Sequence, residues 1–457
     1  MRKTLLTIVL ALFTASALNA QEEQYNQYGV KVDIDPLVAE AQDGILVLRS
    51  KSDSGYKIWL DNRVQTDGAV FFVEPEWADG ISNGFSVRRA RFAVKTQINK
   101  DWYGEVDMDM ADGEFELKDA IIRYTGLEHF QFQVGNFKEI FSLQRNNSSR
   151  YLQFIERPMV CSALAPSRSL GFNANYYNKG IFLNLGVHAQ VIAGAEERGY
   201  VEESSKGKGP DEGLSYTFKA VYQPGWNKDN WGLHIGGAVS YRNPKTSDET
   251  FGKARFSTRN STSINRKKYV DTGDFAFDHN LLYTGELAGY WRGLRAEAVY
   301  MANTSFLPEN AGTKQFGGWY VQAGYLLFGG TQRYDGAGAK FTRVKRGQKW
   351  GDVELCGRVE YIDLNADKGI DAPKVMGGSA MAYSAGLNYY INDHVKVQLN
   401  WQYTDNDRYA SGKGNKFAVG RDASGAVTKD PTKVVAAQSG NPGVNYHMVA
   451  MRFEIDF

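Results

Sequence analysis

The chain has 457 residues, with 53 Lys and Arg against 52 Asp and Glu, a formal net charge of +1. That balance excludes a general nucleic-acid binder, which carries a strong basic bias. Two cysteines, Cys161 and Cys356, exclude a disulfide framework. The composition is rich in aromatics and glycine, with 26 Tyr, 25 Phe and 48 Gly, and after residue 20 no apolar run is long enough for a transmembrane helix.

The chain opens on a positive Arg2-Lys3 pair, an apolar run from Leu5 to Phe13, and small residues at Ala15, Ser16, Ala17 and Ala20. This pattern predicts a secretory signal peptide over 1–20, too short for a stable membrane span. Residues 21–55 are polar apart from GILVL at 44–48 and read as a periplasmic lead-in. From 56 to 457 the signal is a period of two. In RARFAVKTQI, Ala90, Phe92, Val94 and Ile98 alternate with Arg89, Arg91, Lys95 and Gln97. Beyond the Asn178-Lys179-Gly180 turn, Ile181, Leu183, Leu185 and Val187 alternate with Asn184 and His188. After Asn392-Asp393, Val395, Val397, Leu399 and Trp401 alternate with Lys396, Gln398 and Asn400.

About sixteen such segments of roughly ten residues are legible, each with one apolar and one polar face. They begin near 56, 85, 102, 115, 130, 170, 181, 214, 231, 280, 293, 318, 351, 380, 394 and 446. The connections alternate between long and short, as outer loops and periplasmic turns do in outer-membrane barrels. A short outer loop at 112–114 and a long inner turn at 329–350 depart from that rhythm. The last strand, HMVAMRFEIDF, sets Val449, Met451, Phe453, Ile455 and Phe457 against Arg452, Glu454 and Asp456. Its apolar face is predicted to meet lipid, and the strand to close the barrel against the first. The fold class expected is therefore all-β: a transmembrane antiparallel barrel, in the outer membrane, with both ends of the barrel in the periplasm.

Between 85 and 173 the sequence is more specific. It carries an R-R-A strand, a K-D-W turn, E-L-K-D-A, V-G-N-F-K-E-I-F-S-L, S-S-R-Y, E-R and A-P-S-R in succession. This region resembles the phosphate-selective porin O and P family. YLLFGG at 325–330 and WGDVELCGRVEYIDL at 350–364 are also similar to it. The resemblance implies a sixteen-stranded trimeric channel whose third outer loop folds into the lumen. It also implies that the second Arg of the doublet, here Arg89, lines the pore.

The residues themselves place Arg89, Arg91 and Lys95 on the lumenal parity of one strand, while Arg88 has the outward parity and is expected at a strand end or against a neighbouring subunit. The 138–169 loop carries Lys138, Arg145, Arg150, Arg157 and Arg168 against Glu139 and Glu156, an excess of three positive charges. Guanidinium suits oxyanions because its donors match two oxygens at once. Glu105, Asp107, Asp109 and Asp119 share lumenal parity nearby, so two readings stand: the loop cations form an anion path, or they pair with wall carboxylates and brace the loop. Arg150 and Arg168 fall inside the matched motifs and are favoured for the path. DMDMADG at 107–113 breaks calcium-loop spacing and reads as a strand end. No metal or other cofactor is called for, and no Ser–His–acid constellation is legible. The function expected is a passive diffusion channel for phosphate or related anions. A general porin for small polar solutes is the alternative, and a barrel enzyme such as a lipase is a more distant one. Lipid, anions in transit and two further copies of the chain are the expected partners.

Overall fold

The computed structural model describes residues 24–33, 35–52, 54–73, 81–189, 191–192, 213–243, 252–259, 261–366, 375–407, 420–428, 433 and 445–457. The expected signal peptide and parts of several long outer loops lie outside these residues. The main sheet holds nineteen strand segments. Two form an N-terminal hairpin and two are halves of one broken strand, which leaves sixteen around a closed antiparallel barrel. In chain order these are Lys57–Leu60 with Arg63–Val73, Gly84–Gln97, Trp102–Asp109, Glu116–Leu127, Phe130–Lys138, Arg168–Asn178, Ile181–His188, Ser215–Tyr222, Trp231–Arg242, His279–Trp291, Leu294–Phe306, Thr313–Leu326, Asp352–Ala366, Val375–Tyr390, Val395–Asp407 and Tyr446–Asp456. Each pairs with its neighbours in sequence. Tyr446–Asp456 then pairs with Arg63–Val73 from Tyr446↔Val73 to Asp456↔Arg63. Closure leaves no strand edge in hydrocarbon, where an unpaired peptide group costs several kcal/mol.

The alternation read from the sequence is the alternation of lipid and lumen. Leu185, Leu399, Phe453 and Ile455 are exposed on the outer face, while Asn184, Gln398, Arg452 and Glu454 are buried inside. His394 sits in the turn before Val395–Asp407. Phe457 completes the seam: Asn62 N donates to its carbonyl at 2.7 Å and its own N–H reaches the Asn62 carbonyl at 3.2 Å.

Arg88 departs from the parity expectation. Val87 pairs with Thr66 and Arg89 with Gln65, so Arg88 is an extra residue in a β-bulge. A bulge puts two residues opposite one and shifts the phase of the strand beyond it. Arg88 therefore turns inward beside Arg89 and meets Glu156, with Nε 2.5 Å from Oε1.

Two features were not legible as structure. GILVL becomes part of a hairpin, Leu37–Gln42 with Ile45–Ser50, which pairs onto Lys57–Leu60 below the seam. Part of the lumen is also filled. Phe141, Met159, Val160 and Leu164 of the 138–169 loop pack with Phe256, Val270, Phe316, Tyr320 and Ile362 into one apolar cluster. Both cysteines are free and buried.

Candidate functional site: a cationic constriction

The 138–169 loop leaves the wall at Lys138 and crosses the lumen. Just before it, Gly135 has φ +127, and a Cβ there would collide with the Ala120 carbonyl, so the strand needs glycine at this close approach. Ser142 caps the short helix Leu143–Asn146 by accepting from Arg145 N at 3.3 Å. Lys138 Nζ satisfies the other end, donating to the carbonyls of Arg145, Asn146 and Asn147 at 3.2–3.3 Å. Ser148 caps the single turn Ser149–Tyr151, and Pro158 precedes the helix Met159–Ala163.

The far wall holds the loop through its acids and amides. Glu286 accepts from Leu143 N at 2.6 Å, Glu297 from Gln144 at 2.6 Å, Glu354 from Gln153 at 2.7 Å, and Asn400 from Ile155 N at 2.8 Å. Cations of that wall reach loop carbonyls: Lys396 donates to Arg150 O at 2.6 Å and Arg452 to Ile155 O at 2.7 Å. Charge-assisted bonds of this kind contribute about 1.5–3 kcal/mol each. The wall carboxylates on this side are thereby committed to the loop rather than to the open lumen.

What remains open is a cavity of about 1030 Å³ between the loop and the strands from Arg63 to Phe182. Fifteen Lys and Arg line it against eight Asp and Glu, an excess of seven positive charges in a nearly neutral chain. Arg89, Arg91, Lys95, Lys138, Arg145, Arg150, Arg157 and Arg168 are all among them, with Glu105, Asp107, Asp109 and Asp119. The inner turn contributes Asp335 and Lys340, and the 252–278 outer loop contributes Arg259 and Lys268.

These cations fall into two groups. In the first, each side chain has a carboxylate. Arg91 Nε donates to Asp107 at 2.9 Å, and Arg168 holds Asp119 with two bonds of 2.9 and 2.8 Å. Arg150 pairs with Asp61 and lies 2.9 Å from Asp456, while Lys95 pairs with Asp61 and lies 3.5 Å from Glu105. Glu105, Asp107 and Asp119 cluster within 4.8 Å of one another, and the cations Lys95, Arg91 and Arg168 share them. Burial opposes the charge of Arg150, but Asp61 and Asp456 outweigh it and push its pKa up. Burial likewise opposes ionisation of Glu156, yet Arg88, Arg89 and Arg452 hold it below the usual carboxylate range.

In the second group the partners are neutral. Arg89 donates to Gln65 at 2.6 Å. Arg157 reaches only the carbonyls of Gln144 and Asn147, at 2.7 and 2.9 Å, and Arg145 those of Cys161 and Ala165, at 3.3 and 3.1 Å. Lys138 has the three helix carbonyls. Arg63, absent from the residues named by parity above, is buried, and its Nε has no hydrogen-bond partner among the described residues. Its parity with Gln65 and Asp67 was the available signal. Burial first, then the neighbouring Arg145, pulls the pKa of Arg157 down to about 9, which still leaves it charged at pH 7. Burial also lowers Arg145. The motif-matched pair, Arg150 and Arg168, thus sits in the carboxylate-bound group.

A closed, lipid-facing barrel with a polar lumen narrowed by an infolded loop is a porin-type channel of the outer membrane. The family model for phosphate-selective porin O and P matches residues 60–422, and the chain belongs to that family. Porin O of Pseudomonas aeruginosa is 24% identical over 449 residues, covering 91% of this chain and 97% of its own length. An uncharacterized protein of Caulobacter vibrioides is 28% identical over 337 residues, covering 71% of this chain, which spans 64% of that protein's length. Among solved structures, in-vitro folded OmpT of Vibrio cholerae aligns with a TM-score of 0.48 at 13% identity, over 88% of this chain and 99% of its own. An anion-selective porin from Comamonas acidovorans aligns with 0.48 at 10%, over 88% and 100%.

Proposed function

We propose that the protein is a passive, anion-selective diffusion channel for phosphate and related oxyanions. The observation that carries this reading is a set of cations that make no hydrogen bond or close ion pair to a carboxylate, Arg63, Arg89, Lys138, Arg145 and Arg157, on one cavity. A cation already held by a carboxylate attracts a passing anion weakly. One held by a neutral carbonyl keeps its full charge. A permeating anion sheds water at the narrowing, and a succession of guanidinium and ammonium groups replaces those water contacts without closing on the ion. Arg91, Arg150 and Arg168 act chiefly as braces that set the position of the loop and the width of the passage. The family name supports phosphate as the ion in question, and Phe137 and Phe182 being the only aromatic side chains on the cavity among the described residues suits a compact polar solute. Single-channel reversal potentials in asymmetric chloride and phosphate should show anion preference that weakens at high salt, as screening shortens from about 10 Å at 0.1 M to about 3 Å at 1 M. Equal permeability for cations and anions would instead establish a general diffusion porin.

The channel assembles as a homotrimer in this reading, docking through the hairpin Trp102–Asp109 and Glu116–Leu127. Its outer connection is short, and Val106, Phe115 and Ile122 are exposed on it. Native mass measurement in mild detergent should give three copies; a monomer alone would end this assignment.

A further inference from the structure

We infer that Glu286 is a positioning residue that fixes both walls of the constriction, the infolded outer loop and the long inner turn, as one body. It does not line the cavity. Its side chain is fully buried, and its two oxygens serve different elements. Oε1 accepts from Leu143 N, the first residue of the loop helix, at 2.6 Å. Oε2 accepts from Lys219 Nζ at 2.5 Å and lies 3.0 Å from His234 Nε2. His234 passes the link on, its Nδ1 lying 2.6 Å from the Tyr334 hydroxyl of the inner turn. Lys219 in turn donates to the Phe141 carbonyl at 3.1 Å, holding the residue just ahead of the helix.

Loop and turn also meet each other. Phe341 N donates to Asn147 Oδ1 at 2.9 Å, and Asn146 Nδ2 to the Gly338 carbonyl at 2.6 Å. Leu143 and Phe341 pack together with Ala288. Loop residues Arg145 and Arg150 and turn residues Asp335 and Lys340 border the same cavity. One carboxylate in the wall thus anchors the charge-bearing segment that enters from outside and the one that enters from the periplasm. Both segments thus owe part of their resistance to local opening to the same buried carboxylate. The inference rests on the reading of these segments as the sides of the conducting path, but its geometry does not depend on which ion passes.

The test is hydrogen–deuterium exchange on the full-length protein, refolded in detergent, with conductance measured in parallel. Glu286→Gln alone would leave Lys219 buried and unpaired, so the informative variant is Lys219→Met with Glu286→Gln. It should keep the folded, heat-modifiable barrel, while amides of both 141–151 and 331–345 exchange roughly tenfold faster or more. Its single-channel current should be larger and noisier. Tyr334→Phe cuts only the turn arm and should speed exchange in 331–345 while sparing 141–151. Unchanged exchange of both segments in the folded double variant would overturn the assignment. So would an unchanged turn in Tyr334→Phe, which stays decisive if the double variant does not fold. A parent channel without ion preference would refute the anion reading and leave these exchange results to be judged by themselves.

Discussion

Replacing Arg89 and Arg157 together by glutamine is expected to lower the anion-to-cation permeability ratio about tenfold, read as a shift of reversal potential toward the cation value. Two unit charges about 4 Å apart attract by roughly 4 kcal/mol at an effective dielectric of 20. Dehydration of the anion offsets most of that, so a net effect of roughly 0.7 kcal/mol per cation is a fair scale, and the two together, about 1.4 kcal/mol, are tenfold. Neither residue makes a hydrogen bond to a carboxylate, and Glu156, which Arg89 helps to hold ionised, keeps Arg88 and Arg452 when Arg89 is lost. Arg150→Gln with Arg168→Gln should behave differently. It leaves Asp61 to Lys95, Asp456 to Arg343 and Asp119 to Arg91, each with one cation fewer, loosens the loop, and changes conductance and noise more than the ratio. The assignment of roles would be reversed by a ratio that moves in the second pair and stays fixed in the first.

Arg452→Met is expected to destabilise the barrel by about 3–5 kcal/mol, the scale of removing one member of a buried ion pair. Arg452 Nε and Nη2 donate to the two oxygens of Asp67 at 2.6 and 2.7 Å, and both side chains are excluded from solvent. Their strands are the last and the first of the barrel, paired at Arg452↔Asp67. The substitution strands a carboxylate at the seam and releases the Ile155 carbonyl of the loop. The temperature at which the folded electrophoretic form converts to the unfolded one in detergent should fall. Asp67→Leu with Arg452→Met should recover most of the loss, because no charge is then left alone. A single variant as heat-resistant as the double would show that the pair does not hold the seam.

Much of this fold is written locally. Period-two alternation marks all sixteen strands because each side chain reports only whether lipid or lumen lies on its side, and that is decided within a few residues. Leu183 and Asn184, or Phe453 and Glu454, need no distant partner to be placed. The charge content of the constriction was legible for the same reason. Its division into braced and unbraced cations was not, since the deciding partners lie on other elements: Asp61 and Asp456 for Arg150, Gln65 for Arg89. The apolar filling within the lumen left a faint local trace in Val299, Tyr300, Met301 and Ala302, a stretch apolar on both faces. The hairpin of residues 37–50 left less, because pairing onto the broken first strand depends on where the seam ends.

The bulge at Arg88 bears on how this wall tolerates change of length. In an ordinary barrel strand, losing one residue reverses every side chain beyond the gap, sending charge into lipid and apolar groups into water. Here the extra residue already reverses the phase once. Deleting Arg88 would leave Phe85 and Val87 outward, Ala90, Phe92 and Val94 outward, and Arg89, Arg91 and Lys95 inward, so a frame-preserving loss is harmless to the alternation at this position of the strand and ruinous a few residues further on. The insertion also sets the spacing of charge. Lumenal side chains on a regular strand recur about every 6.8 Å, two residues of roughly 3.4 Å each. The bulge places two guanidinium groups where the lattice of the sheet provides for one.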